Sequence, residues 1–128
     1  AGDEARLARY VAPLREAGCR VSMFIGHAEA QIRASARIGA AVVELHTGHY
    51  SDLHAEGRLD EADAELDALR KGAALAHSLG LEVHAGHGLT YDNVAPIAAM
   101  SRDSMRASSI ASASPSLTST RSRWGRTR

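Results

Sequence analysis

The chain has 128 residues, 45% of them hydrophobic, with 15 basic and 15 acidic side chains and a formal net charge of zero, which suits one modest domain. One cysteine, Cys19, excludes an intrachain disulfide and a thiolate metal cluster and favours a reducing compartment. No apolar run approaches the roughly 20 residues that span a bilayer, and Ala1-Gly2-Asp3-Glu4 has no leader pattern, so a soluble cytoplasmic protein is expected.

The first element predicted is a helix over residues 3–17, with Leu7, Val11 and Leu14 at spacings of four and three and Gly18 as a left-handed stop. Val21 to Ile25 is a short apolar run ended by Gly26, which suits a buried strand. Helical spacing returns over 28–38 (Ala28, Ile32, Ser35, Ala36) and closes on Gly39. Ala41 to His46 is a second buried strand, ending at Thr47-Gly48. The polar stretch from His49 to Arg58 has no clear period and reads as a loop. From Asp60 to Leu79 the apolar residues Ala62, Leu66, Leu69, Ala73 and Ala76 define a helix, with Asp60, Glu61 and Asp63 placed where the dipole favours negative charge. Leu81 to Ala85 is a third strand, Gly86-His87-Gly88 ends it, and Tyr91 to Met100 reads as a short helix.

Strands alternating with helices imply a parallel α/β sheet, and both a doubly wound sheet and a TIM barrel fit. On either fold the active groups sit at the carboxyl ends of the strands. That rule selects Gly26-His27, Glu44 to Gly48, and Gly86 to Thr90.

Residues 101–128 differ in kind, with nine Ser, six Arg and one acid, Asp103. They carry +5, and the remaining residues, with all seven histidines, carry −5. So few large aliphatics cannot offset the entropy of ordering, and the segment is expected to be disordered. Its arginines could neutralise phosphates, but Trp124 is its one aromatic. No nucleic-acid partner is expected.

His87 is the most informative side chain. Flanking glycines at a strand end allow close backbone approach to a ligand, and an imidazole suits proton transfer near neutral pH. The bland alternative is a solvated histidine in a glycine-rich turn. Glu44 and His46 share one face of their strand. They could form an oriented carboxylate–imidazole pair or a purely structural ion pair. Seven histidines raise the question of a metal, yet no H-x-x-x-H or H-x-H signature occurs. No metal site is expected.

Three segments resemble pyridoxine 5'-phosphate synthase. They are Leu14 to Gly18 leading to Arg20-Val21-Ser22-Met23-Phe24-Ile25; Gly39 to Gly48 with Tyr50; and Ala74 to Val83 running into Ala85-Gly86-His87-Gly88-Leu89-Thr90-Tyr91-Asp92-Asn93-Val94. The match covers about residues 5 to 100, and its last segment is the most specific. The resemblance implies the C-terminal half of a TIM barrel: residues 1–100 as parallel strands five to seven with flanking helices, followed by the tail 101–128. It implies a homo-oligomeric enzyme that condenses 1-deoxy-D-xylulose 5-phosphate with 3-amino-2-oxopropyl phosphate, without metal or organic cofactor. His87 matches the family's proton-donating histidine, Gly88 a substrate-contacting residue, and Glu44 an acid at the barrel mouth. His46, Thr47 and Gly86 are expected beside them as substrate-binding residues.

The departures are informative. Gly26-His27 stands where the family usually has aspartate, and His84 where it has asparagine. After Met100 the eighth strand's asparagine-isoleucine-glycine-histidine phosphate site is missing, as a shifted reading frame would produce. The chain does not begin with Met, as expected of a piece of a longer protein. A closed barrel takes roughly 250 residues, so this chain alone is expected to have no synthase activity. Two other readings are a non-catalytic half-barrel that serves as an association module, and a metal-dependent barrel hydrolase or isomerase.

Overall fold

Short, β-branched-rich apolar runs bounded by helices become parallel strands here. The computed structural model describes residues 2–100 and 105–107. The elements are α1 (Gly2–Glu16), β1 (Ser22–Ile25), α2 (Glu29–Arg37), β2 (Val42–His46), α3 (Gly48–Ala55), α4 (Leu59–Ser78), β3 (Glu82–Gly86), α5 (Val94–Ala99) and β4 (Met105–Ala107). The strands form one parallel sheet in the order β1-β2-β3-β4. Spatial order therefore follows chain order, with no reversal among the described strands.

Alternation along the strands divides the sheet into two unlike faces. Met23 and Ile25, Val43 and Leu45, and Val83 and Ala85 lie in matching register and build the core with α2 and α4. From α4 the core takes Ala62, Leu66, Leu69, Ala73 and Ala76, at the spacings of one helical face. Small residues let this helix approach closely: a Cβ on Gly72 would meet the Cβ and the carbonyl oxygen of His27, each at 3.1 Å. The opposite face carries Phe24, Glu44, His84 and Glu82, and Phe24 is 55% exposed.

α1 is held by its edges more than by its apolar face. Val11 is buried, whereas Tyr10 and Leu14 are exposed. Arg37 grips the Glu4 carboxylate through two hydrogen bonds, of 2.8 and 2.9 Å. At its C-terminus Gly18 adopts a φ of 83°, and the Cys19 N–H returns to the Leu14 carbonyl, giving the stop expected from sequence.

Two elements depart from the sequence reading. The stretch 49–58 contains α3, which escapes notice because its buried residues, Gly48, Tyr50, Ser51 and Leu53, give no apolar period. Met105–Ala107 lies in the segment expected to lack structure, yet it pairs with Val83, His84 and Ala85 as β4. Three residues carry no sequence period; the neighbouring ladder supplies the order. The rest of the expectation for 101–128 lies outside the described residues. The final helix begins at Val94 rather than Tyr91.

Near the amino ends of the strands, Glu82 receives Arg20 Nη2 on one oxygen at 2.5 Å and lies 2.7 Å from His84 Nε2 through the other. The Arg20 hydrogen bond, followed by that of His84, holds the Glu82 carboxyl down at about 2. A carboxyl with a depressed folded-state pKa stabilises the fold above its unfolded value and loses that contribution as pH falls through the folded value. Thermal midpoints of the parent and Glu82→Gln are therefore expected to differ at neutral pH. The gap should close as pH drops from about 4.5 toward 2. A gap independent of pH would show that the carboxylate's ion pairing does not matter.

Candidate active site at the strand ends

The carboxyl ends of β1, β2 and β3 lie side by side, because His46 pairs with Gly86 and Ile25 with Leu45. At β2 the chain passes from His46 through Thr47 straight into α3. Thr47 is fully buried and sits at the N-cap of α3, but its hydroxyl does not cap the helix. The hydroxyl Oγ1 turns to the carbonyls of Gly86 at 2.8 Å and His87 at 2.6 Å, and the Thr47 N–H also donates to Gly86 O at 2.9 Å. One residue thus clamps the end of β3 to the end of β2.

The clamp holds an unusual backbone. His87 has a φ of 83°, the one left-handed non-glycine among the described residues, and Gly88 follows with a φ of 76°. A left-handed L-residue costs roughly 1–2 kcal/mol. Such strain persists where surrounding contacts over-determine it, often at functional sites. Here the buried Thr47 hydroxyl supplies one of those contacts. Gly88 is further required by space, since a Cβ there would meet the Ser51 Cβ at 3.0 Å and its hydroxyl at 3.1 Å. That Ser51 hydroxyl is buried and has no hydrogen-bond partner among the described residues.

The imidazoles of His46 and His87 stack with centroids 4.5 Å apart and planes 30° apart. Phe24 completes a three-ring cluster, 5.1 Å from His46 and 6.1 Å from His87. His46 Nδ1 accepts the Gly48 N–H at 3.1 Å. In the neutral ring the proton is therefore assigned to Nε2. A side chain at Gly48 would overlap the His46 ring and approach His87 Cδ2 to 3.1 Å, so glycine is needed for the two rings to meet. An imidazole pair of this kind can pass or hold a proton at an exposed strand end, in a setting fixed by backbone hydrogen bonds.

Of the residues selected from sequence, His46, Thr47, Gly86, His87 and Gly88 come together. Glu44 lies on the same face of β2 as His46, two residues back from the strand end, and it is half-buried. Phe24 and Ser51 were missed, whereas Gly48 fell within the stretch that the strand-end rule selected. Phe24 reaches the site through the register that sets it beside Glu44, which local spacing does not record. Nothing in the sequence marks Ser51. Gly26-His27, selected by the strand-end rule, borders an open cleft of about 470 Å3 with Phe24, His46, His49 and Glu65. Among the described residues, no three His, Cys, Asp or Glu side chains are grouped as a metal ion would need. No helix there is long and apolar enough to cross a membrane.

Residues 1–113 match the family described as pyridoxal phosphate biosynthesis protein PdxJ. The match lies on the N-terminal part of this chain and leaves out its last residues. A pyridoxine 5'-phosphate synthase of Cereibacter sphaeroides is 77% identical over 99 residues, which are 77% of this chain and 39% of that protein. The synthase of Roseobacter denitrificans is 65% identical and that of Ruegeria pomeroyi 64% identical, each over 99 residues, 77% of this chain and 40% of theirs. The chain thus spans about two fifths of the length of these curated relatives.

Proposed function

We propose that this chain, which belongs to the pyridoxal phosphate biosynthesis protein PdxJ family, supplies three consecutive strands and the proton donor of a pyridoxine 5'-phosphate synthase barrel. The strands would be the fifth, sixth and seventh, read from the motifs around Glu44 and His87. The unbroken strand order supports a singly wound barrel over a doubly wound sheet, whose order reverses at a switch point.

The observation that carries the reading is the His87 loop, a left-handed histidine fixed by Thr47 and stacked on His46 at the carboxyl ends of the strands. Joining 1-deoxy-D-xylulose 5-phosphate to 3-amino-2-oxopropyl phosphate requires Schiff-base formation, phosphate loss and dehydrations, each with protons delivered to departing oxygens. His87 would deliver them. Gly88 and Gly86 would admit substrate against bare backbone, and His46, Thr47 and Glu44 would line its seat. A cytoplasmic, homo-oligomeric enzyme acting on phosphorylated substrates without metal or organic cofactor follows from the same family reading. The Ser/Arg-rich segment 101–128 would form no part of the barrel's chemistry.

A chimera tests this. Residues 1–99 replace the matched segment of the Cereibacter sphaeroides relative, and formation of pyridoxine 5'-phosphate is measured. Retained synthesis is expected, with none from the 128-residue chain alone. A folded but inactive chimera would refute the reading and leave the second one, a half-barrel kept for association. The exposed Phe24 on the uncovered sheet face is the feature that favours that alternative.

A further inference from the structure

We infer that Ser51 is a positioning residue for the His87 loop, its buried hydroxyl latching the Gly88 carbonyl when the loop takes up its working conformation. Thr47 and Ser51 stand four residues apart at the start of α3, on one side of the helix, and the Ser51 N–H donates to the Thr47 carbonyl at 2.9 Å. Both side chains face the same loop. The Thr47 hydroxyl holds the carbonyls of Gly86 and His87. Ser51, one turn further on, lies against the next residue, since a Cβ on Gly88 would meet its Oγ at 3.1 Å and its Cβ at 3.0 Å. Yet the Ser51 hydroxyl has no hydrogen-bond partner among the described residues, although Ser51 is only 6% exposed. A buried hydroxyl left unpaired is destabilising. The arrangement points to a partner that arrives in a second conformation.

The loop is held on both sides of this point but not at it. Upstream, Thr47 fixes the carbonyls of Gly86 and His87. Downstream, the Thr90 N–H donates to Asn93 Oδ1 at 2.8 Å, and the Asn93 carbonyl accepts the Tyr50 hydroxyl. Between these anchors, no hydrogen bond among the described residues reaches the backbone of Gly88 or Leu89. The Leu89 side chain packs on the core, so the loop does not swing out as a whole. What remains is rotation of the Gly88–Leu89 peptide, which an exposed residue without a Cβ permits. That rotation turns the Gly88 carbonyl toward Ser51 Oγ, and the hydroxyl donates to it as Thr47 donates to the His87 carbonyl. Three consecutive carbonyls after β3 are then fixed to α3, and His87 can no longer shift with Gly88. A latched population of about 0.1–10% in the free chain is enough for a ligand to select.

The latch itself needs neither barrel closure nor turnover; only its effect on catalysis rests on the proposed function. The full 128-residue chain is followed by NMR relaxation dispersion, which reads exchange on the μs–ms timescale. Exchange is expected at the amides of Gly88 and Leu89, not at those of Gly86 or Asn93, and should vanish in Ser51→Ala. That variant drops only an unpaired hydroxyl, so its thermal midpoint should equal or exceed the parent's. In the active chimera Ser51→Ala should lower kcat by about threefold to tenfold, the value of one hydrogen bond, with KM nearly unchanged. Rigid Gly88 and Leu89 amides in the parent, or exchange that survives in Ser51→Ala, would overturn the inference. So would a midpoint well below the parent's, which would show the hydroxyl already bonded, or an unchanged kcat. An inactive parent chimera would sink the proposed function alone, because relaxation dispersion decides the latch without turnover.

Discussion

His87→Ala is expected to lower kcat for pyridoxine 5'-phosphate formation by about 10²- to 10⁴-fold in the active chimera, the usual contribution of a positioned proton donor. KM should move much less, because the imidazole would act on departing oxygens and not on ground-state binding. The structure gives a reason to expect the loss in kcat specifically. Thr47 fixes the His87 carbonyl at 2.6 Å, and His46 stacks on its ring at 4.5 Å, so the ring is oriented before substrate arrives. Alanine can still occupy the loop, at the cost of left-handed strain already present in the parent. The comparison therefore isolates the imidazole. Steady-state kinetics on the two chimeras decide the matter, and an unchanged kcat would remove His87 from the chemistry.

Tyr50→Ala is expected to destabilise the fold by about 3–5 kcal/mol, the range for emptying a large buried aromatic site. Tyr50 is 2% exposed and is the largest fully buried side chain among the described residues. Its hydroxyl donates to the Asn93 carbonyl at 2.8 Å, tying α3 to the turn that follows the His87 loop. In that turn the Asn93 side-chain oxygen accepts the Thr90 N–H, also at 2.8 Å. Burial holds the Tyr50 phenol above its ordinary pKa, and nearby Asp63 pushes it the same way, so the ring stays neutral across the working range. Against a total stability of about 5–15 kcal/mol, such a loss is severe. Tyr50→Phe keeps the ring and should cost only about 1 kcal/mol, the net value of one hydrogen bond. Urea unfolding of the three proteins separates ring from hydroxyl. Equal losses for the two variants would mean that the hydrogen bond, and not the volume, holds this corner.

How much of this was legible in the chain differs by element. The face of α4 was readable to the residue, because Ala62, Leu66, Leu69, Ala73 and Ala76 repeat at helical spacing and all face the core. The three main strands were equally plain as short apolar runs cut by glycine. α3 was hidden, since a helix whose buried residues include Gly48, Ser51 and Tyr50 shows no hydrophobic period. β4 was hidden for a different reason. Its order comes from hydrogen bonds to β3, which no local pattern records.

The candidate site divides along the same line. Sequence by itself determined which residues stand at strand ends, because parity and the glycine breaks place His46, Thr47, Gly86, His87 and Gly88 there without any long-range information. It also determined the family, through motifs long enough to be specific. Only the tertiary structure decided that Thr47 spends its hydroxyl on β3 instead of capping its own helix, and that His87 takes a left-handed backbone. It alone decided that Phe24 joins the two imidazoles. Those features depend on contacts between residues about 20 to 60 apart in the chain, whose geometry is fixed by the register of parallel strands. Local spacing carries no record of that register.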